Sequence, residues 1–357
     1  MKIVSWNVNG IRSLSKDMGT ILEELGADIA CFQETKISKD QVTENLAIVH
    51  GYRSYFSYCK RKAGYSGVVT YCKNSMQPMR AADSLTAALQ DETLDSKDFT
   101  IPESELKSLD NEGRCVITQH LLKEPIEGKS TLTVFNLYCP CVSGEVDGRE
   151  QFRLQFLQLL EERVRQLKKT SFVILTGDMN VAHKIIDHCD PGDENLFADE
   201  PHRLWFDRIV GASGCLIDTY RHLNPQTKFA YTCWNTRTNA RQTNAGTRID
   251  YVLLDSDLKQ CLVNAEVHAK YYGSDHCPVS ACLEVGVTPS STLPSICSSF
   301  RFKKRQQKLT MFMMKRPADN DAFKTLDDPQ SKKKSQSSKR SKSSNLDSFL
   351  KSKENAP

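Results

Sequence analysis

An α/β domain over about residues 1–285, followed by a basic disordered tail, is what the sequence predicts. Three observations lead there. Short apolar, β-branched runs such as KIV, ADIACF and SFVIL recur at strand length through the first 280 residues. One long helical pattern lies among them. Beyond Ser290 the composition turns to Ser, Lys and Gln with few aliphatics, too little apolar surface to offset the entropy of ordering.

In chain order, strands are expected at Lys2–Asn7, Ala27–Phe32, Tyr52–Cys59, Gly67–Cys72, Cys115–Leu122, Thr131–Tyr138 and Phe172–Gly177. Later ones fall at Tyr231–Trp234, Arg248–Leu254 and Cys277–Glu284. The helix is Gln151–Lys168, where Phe156, Leu160, Val164 and Leu167 recur at helical spacing beside Glu161, Arg163 and Arg165. Ser84–Asp110 is acidic, weakly patterned and long for a connection, and reads as a surface insertion. Residues 286–357 read as the disordered tail, ending in QSKKKSQSSKRSKSSNLDSFLKSKENAP.

Composition narrows the class. A chain of 357 residues with 39% apolar content can bury one large core. No signal peptide is expected, because strand-like residues begin at Lys2, and no apolar run is long enough to span a bilayer. Thirteen cysteines without a C-x-x-C pair point to reduced, mostly buried thiols in an intracellular protein. Of the 48 basic and 44 acidic residues, 16 and 6 fall in residues 301–357, leaving an acidic body of 32 against 38. An acidic body that handles a polyanion must draw positive field from elsewhere, most economically from a bound divalent cation.

Polar residues stand at the ends of the strand-like runs: SWNVNGIRS (Ser5–Ser13), QET (Gln33–Thr35), LTGDMNVAH (Leu175–His183), RIDYV (Arg248–Val252) and GSDHCP (Gly273–Pro278). Side chains at the end of a buried strand are held rigidly and still reach solvent. Hydrolysis of a phosphodiester needs an activated water, neutralised non-bridging oxygens and help for the leaving oxygen. Glu34 offers a hard carboxylate for Mg²⁺, and Asn7 and Asn9 can complete or orient that site. Asp178 can polarise a water that Asn180 positions. His276, beside Asp275, offers an imidazole to phosphate oxygens, with Asp250 fixing its tautomer. Singly, each has an ordinary reading: Glu34 a solvated carboxylate, D-x-N an Asx turn, Tyr138 a half-buried core residue. Their joint appearance in this order is far more specific.

That combination resembles the exonuclease III type of abasic-site endonuclease, within the endonuclease/exonuclease/phosphatase superfamily, over about residues 1–285. The resemblance implies a four-layer α/β sandwich, two packed mixed β-sheets flanked by helices. It implies Tyr138, Asp178, Asn180, Asp250 and His276 as the catalytic residues. For metal it implies Glu34 as the main Mg²⁺ ligand, with Mn²⁺ as an alternative ion, and Asn7, Asp178, Asn180, Asp275 and His276 around it. DNA contacts are implied at Arg12, Arg149, Arg153, Cys233, Trp234, Thr247 and Ile249.

The departures identify a branch. Asn9 stands where the family's major endonucleases carry an aspartate, and Cys141 replaces an asparagine. Cys233 and Thr247 stand where strong abasic endonucleases carry bulky aromatics around the flipped-out sugar, so incision at internal abasic sites should weaken relative to 3′-end processing. With the insertion and the basic tail, the chain resembles the second eukaryotic branch of abasic endonucleases, whose members resemble 3′-phosphodiesterases and 3′–5′ exonucleases. The expected partner is double-stranded DNA with abasic sites or damaged or mismatched 3′ ends, met by a monomer. The tail carries two candidate sliding-clamp (PCNA) peptides, one on Gln306, Leu309 and Phe312 and one on Leu346 and Phe349. Lys332–Lys334 with Lys339, Arg340 and Lys342 reads as a nuclear import signal, a mitochondrial pool remaining open. Two rivals stand beside this reading: a phosphatase of the same fold acting on a small phosphoester or lipid headgroup, and a non-catalytic clamp-associated scaffold.

Overall fold

The computed structural model describes residues 1–89, 94–142, 148–211 and 214–302. Strands occur at β1 (Lys2–Asn7), β2 (Ile29–Gln33), β3 (Tyr52–Ser57), β4 (Val68–Lys73), β5 (Arg80–Ala82), β6 (Cys115–Ile126), β7 (Lys129–Tyr138) and β8 (Phe172–Asp178). They continue with β9 (Leu216–Asp218), β10 (Cys233–Trp234), β11 (Gly246–Thr247), β12 (Asp250–Asp255), β13 (Leu262–Val267), β14 (Val279–Leu283) and β15 (Val287–Thr288). The helices are α1 (Met18–Leu25), α2 (Glu44–Ala47), α3 (Glu103–Asp110), α4 (Arg149–Lys168), α5 (Glu194–Ala198), α6 (Pro201–Val210) and α7 (Thr219–Leu223).

Two mixed sheets result. One runs β13-β14-β1-β2-β4-β3, the other β15-β6-β7-β8-β12-β9 with β5 paired to β6. Strand alternation builds the layers. Ile3, Ile29 and Cys31 turn inward to meet Val134, Ile174 and Leu254 of the second sheet, forming the central core. The alternate residues Val4, Ala30 and Phe32 turn outward to pack with Ile21, Leu22 and Leu25 of α1. On the far side Phe135, Val173, Leu175 and Leu253 pack against Phe156, Leu160 and Val164 of α4 and Trp205 and Phe206 of α6. The architecture is thus the expected four-layer sandwich.

The two sheets are also locked by buried amides. Gln33 Nε2 on β2 donates to Asn136 Oδ1 on β7 at 2.9 Å, and Asn136 Nδ2 donates back to Val69 O at 2.9 Å. The contact lies directly beneath the strand ends that carry the polar motifs. All thirteen cysteines are free thiols, and among the described residues no helix is long and apolar enough to cross a membrane.

Two expectations need correction. Ser84–Asp110 is not merely a surface insertion: Leu85, Leu89, Phe99, Ile101, Leu106 and Leu109 are buried against the outer face of the second sheet and α4. Only Leu106 and Leu109 sit in a helix, the two-turn α3, and the other anchors are scattered through irregular backbone, which hid them. Nor does order stop at residue 285. β15 pairs with β6, Gln77 Nε2 donates to Thr292 O at 3.2 Å, Ser298 N donates to Ser54 O at 3.0 Å, and Cys297 and Phe302 are buried. A short polar strap needs few apolar anchors when it is added to an existing sheet edge and core. The clamp candidates Gln306, Leu309, Phe312, Leu346 and Phe349, and the import signal, lie outside the described residues.

Ending the chain at residue 285 instead of 302 should therefore lower Tm by about 5–10 °C, since it strips several buried side chains from the core. Thermal denaturation of the two truncated proteins checks this, and equal melting temperatures would contradict the strap's packing role.

Candidate active site

The topology brings the polar motifs to one edge of the sandwich. β1 and β2 run parallel, as do β7 and β8, so Asn7, Glu34, Tyr138 and Asp178 emerge at strand C-termini. β12 and β14 run antiparallel to β8 and β1, so Asp250 and His276 arrive there from strand starts. Asp250 stands directly opposite Asp178 in the β8–β12 register. Gly177 permits this crowding: at φ +142° its missing Cβ would lie 1.9 Å from Leu137 O, so only glycine lets β8 approach β7 one residue before Asp178.

Asn7 joins the two sheets. Its Nδ2 donates to Glu34 Oε1 at 2.8 Å within the first sheet and to Asp178 Oδ2 at 2.9 Å on the second. Its Oδ1 accepts from Asn9 N at 3.0 Å. Asn9, Glu34 and Asn180 all hold positive φ, 47°, 52° and 51°, an uncommon backbone for these residues and one that clusters at functional sites. Asn180 N donates to Asp178 Oδ1 at 2.9 Å and Asn180 Nδ2 to Cys139 O at 2.9 Å. The D-x-N segment is therefore an Asx turn and part of the cluster at once.

Opposite lies the imidazole. His276 Nδ1 pairs with Asp250 Oδ2 at 2.8 Å, and its Nε2 lies 3.9 Å from Asp178 Oδ2. Burial alone would lower its pKa, but the Asp250 carboxylate raises it well above the ordinary value and favours the charged imidazole. Asp178 is pushed up to about 7, first by burial and then by the charge of Asp250. Glu34 is shielded by burial, yet hydrogen bonds from Lys36 and Asn7 hold its carboxyl below the usual range. Tyr138 keeps its proton, through burial first and then the neighbouring Glu34 charge.

The donor set fits a hard divalent cation on the Glu34 side. Glu34 is ionised and part-exposed, and the Lys36 ammonium already lies 2.8 Å from its Oε2 while donating to Asn9 Oδ1, a cation lodged between hard oxygens. Single donor atoms of Asp178, Asp250 and His276 also lie within 4.8 Å of one another. These three buried donors form a second group that could hold a cation. The Asp275 carboxylate accepts from Ser274 Oγ at 3.0 Å.

Several expected DNA contacts have other occupations. Arg149 clamps Glu112 with two bonds of 3.0 and 3.1 Å, and Arg153 is buried with Nη2 on Asn180 O at 2.8 Å. Trp234 is buried, its Nε1 donating to Asn244 Oδ1 at 3.0 Å. These three support the site from behind. Arg12 is exposed, and Ile249, Cys233 and Thr247 are half-buried. Cys233 and Thr247 face one another across the β10–β11 ribbon, which meets His276 through Cys233 and His188 through Thr247. Sequence reasoning missed Lys36 and Arg114. Arg114 is buried, donates to Glu112 Oε2 at 2.7 Å and Tyr138 O at 2.8 Å, and lies 4.6 Å from the Tyr138 ring centroid. Its only local signal is EGR after an acidic helix. Lys60, Arg61 and Lys62 form an exposed basic loop.

Comparison with known proteins agrees with this geometry. The model of the Endonuclease/Exonuclease/phosphatase family matches residues 4–276. The protein named DNA-(apurinic or apyrimidinic site) endonuclease 2 of Xenopus laevis is 39% identical over 344 residues, covering 88% of this chain and 66% of that protein. The Homo sapiens protein of the same name is 38% identical over 345 residues, with coverage of 88% and 66%. This chain thus spans just under two thirds of the length of both. The exodeoxyribonuclease of Bacillus subtilis is 31% identical over 289 residues, 80% of this chain and 100% of that one. The crystal structure of the Xenopus laevis APE2 catalytic domain superposes with a TM-score of 0.80 at 41% identity, covering 86% of this chain and 100% of that chain.

The Asp178 shift makes a prediction about stability. A carboxyl whose pKa rises from 3.8 to about 7 on folding binds its proton more tightly in the folded state. Its contribution is present below about pH 4 and is lost as pH rises through 7. In EDTA, Tm should fall between pH 5 and 8, and Asp178→Asn should gain about 2–4 °C at pH 8, a shift worth ~1 kcal/mol. Added Mg²⁺ should recover the loss in the wild type. Parallel melting curves for the two proteins would refute this.

Proposed function

The chain belongs to the endonuclease/exonuclease/phosphatase family, and from that membership we propose that it is a Mg²⁺-dependent DNA-repair nuclease. It hydrolyses DNA phosphodiesters chiefly at blocked, damaged or mismatched 3′ ends, as a 3′-phosphodiesterase and 3′–5′ exonuclease, with abasic-site incision secondary. The observation that carries the reading is Asn7, whose one amide aligns Glu34 and Asp178 opposite the Asp250–His276 pair.

Each group then has a task. Asp178, fixed by Asn7 and by Asn180 N, accepts a proton from the attacking water as the water oxygen bonds to phosphorus. Its raised pKa keeps it a useful base near neutrality. The His276 imidazolium, locked by Asp250 on Nδ1, turns Nε2–H to a non-bridging oxygen where negative charge grows. The Tyr138 hydroxyl, its ring held by Arg114, donates toward the phosphate or the departing oxygen. Glu34 would hold the cation, Mg²⁺ or alternatively Mn²⁺, with Asn7 orienting its carboxylate. When bound, the cation neutralises the phosphate and stabilises the leaving oxygen.

DNA is the substrate class supported by exposed Arg12 and the exposed basic loop Lys60, Arg61 and Lys62. The half-buried Cys233 and Thr247 leave the wall of the sugar pocket low, which supports end processing over internal incision. The reading carries with it three expectations: residence in the nucleus, action as a monomer, and a sliding clamp as the partner of the tail.

A side-by-side assay tests the reading. With Mg²⁺, the wild type should trim a recessed or mismatched 3′ end faster than it incises an internal abasic analogue. Asp178→Asn should lose about 10²–10⁴-fold on both, and Thr247→Trp should shift the ratio toward abasic incision. Wild-type turnover by Asp178→Asn would sink the mechanism, and an unchanged ratio in Thr247→Trp would remove the pocket explanation. For the tail, clamp capture should fail when Leu309 and Phe312, or Leu346 and Phe349, become Ala. If neither double substitution weakens capture, neither peptide is a clamp ligand.

A further inference from the structure

Tyr272 is 71% exposed, four residues before His276. Its ring is nevertheless held. The Arg241 guanidinium carbon lies 4.3 Å from the Tyr272 ring centroid and 4.5 Å from that of Trp234, so the cation is in contact with both aromatic rings. Arg241 is anchored by bonds from Nη1 to Ser274 O (3.1 Å) and from Nη2 to Ala269 O (2.9 Å) and Tyr271 O (2.8 Å). Trp234, the buried end, is fixed by Asn244 and by its own backbone N–H, which donates to Asp275 O at 3.0 Å. The result is a three-membered ladder, rigid at its base, whose last ring is largely exposed and lines one cavity with Ser274 and Asp275, the residues just before His276.

A cavity of about 390 Å³ lies along the ladder, lined by Asn235, Thr236, Asn239, Gln242 and Ser274 among others. That size falls within the ~300–1,000 Å³ range of small-ligand sites. Amides and hydroxyls at its rim offer both donors and acceptors, the chemistry that reads the edge of an unpaired base. Arg241 Nε in its wall is buried without a hydrogen-bond partner among the described residues.

We propose that Trp234, Arg241 and Tyr272 form a stacking platform for an unpaired nucleobase of the DNA strand being processed. The proposal rests on the nuclease reading and deepens it. Every base has a π-face, so stacking is tolerant of sequence, and a tyrosine already immobilised by a cation loses little entropy on meeting one. A base that has left the duplex, as at a frayed or mismatched 3′ end, gains this contact, whereas a paired base does not. The platform therefore selects substrates whose terminal pair is already broken.

The test uses the full chain in EDTA, so that binding is read without turnover. Two duplexes are compared, one with an unpaired 3′-terminal 2-aminopurine and one with the same base paired. The wild type and Tyr272→Phe should quench the unpaired probe and bind that duplex more tightly. Tyr272→Ala should lose the quench and about tenfold in affinity for the unpaired duplex, with little change for the paired one. Retained quenching in Tyr272→Ala, or an equal loss on both duplexes, would overturn the proposal. A wild type that cleaves nothing with Mg²⁺ would defeat the nuclease reading separately, because quenching does not depend on cleavage.

Discussion

One side-chain amide holds the two halves of the site together. Asn7 spends both Nδ2 protons on carboxylates, Glu34 from its own sheet and Asp178 from the other. Two acids brought this close, Asp178 buried and Glu34 part-exposed, repel one another, and a neutral donor between them allows both to remain without a clash of lone pairs. An aspartate here would add a further negative charge, and an apolar residue would leave each carboxylate short of a donor. The sheets can keep this register because Gln33 and Asn136 bond across the same seam immediately below. Slippage of either sheet would break a buried amide network and the catalytic alignment together.

The charge balance explains the rest of the construction. Glu34, Asp178 and Asp250 converge on a single imidazolium, leaving net negative charge in a poorly solvated place. The elevated pKa of Asp178 is the direct consequence. Positive groups nearby are mostly committed elsewhere: Arg114 and Arg149 share Glu112, while Arg248 is buried between Asp187 and Asp218 with bonds of 2.6 to 3.0 Å. Those pairs set the positions of Tyr138 and of the turn leading to Asp250. They do not discharge the site. Lys36 does so in part, and a divalent cation would do so more fully.

Strand ends were legible in the sequence because a polar residue that closes an apolar, β-branched run can be read without knowing the fold. That is why Asn7, Glu34, Asp178, Asp250 and His276 could be named in advance and are gathered at one edge. Long-range partners were not legible. Arg149 and Arg153 look like free charges at a helix start, and only the fold brings Glu112 and the Asn180 carbonyl to them. Trp234 was expected as a DNA contact, and only the fold shows it buried with Arg241 against its ring. Strands β9, β11 and β15 are two or three residues long, too short for alternation to register. The strap over residues 286–302 was hidden for a different reason, since composition averages over a segment whereas docking depends on a few anchors such as Cys297 and Phe302.

In the β10–β11 ribbon, Cys233 and Thr247, the two small residues proposed to wall the sugar, are not equivalent. Cys233 is bridged to His276 through the backbone, and its thiol lies against the imidazole, so the imidazole charge bears on it. A larger side chain there would press on His276 as well as narrow the pocket, mixing specificity with catalysis. Thr247 sits across the ribbon from it and touches the His188 segment instead. Its size can change without displacing the imidazole. Specificity carried at residue 247 is therefore separable from the chemistry, whereas at residue 233 the two are coupled by contact. A chain that keeps a thiol beside its imidazole and a threonine opposite preserves the catalytic geometry while leaving the wall low.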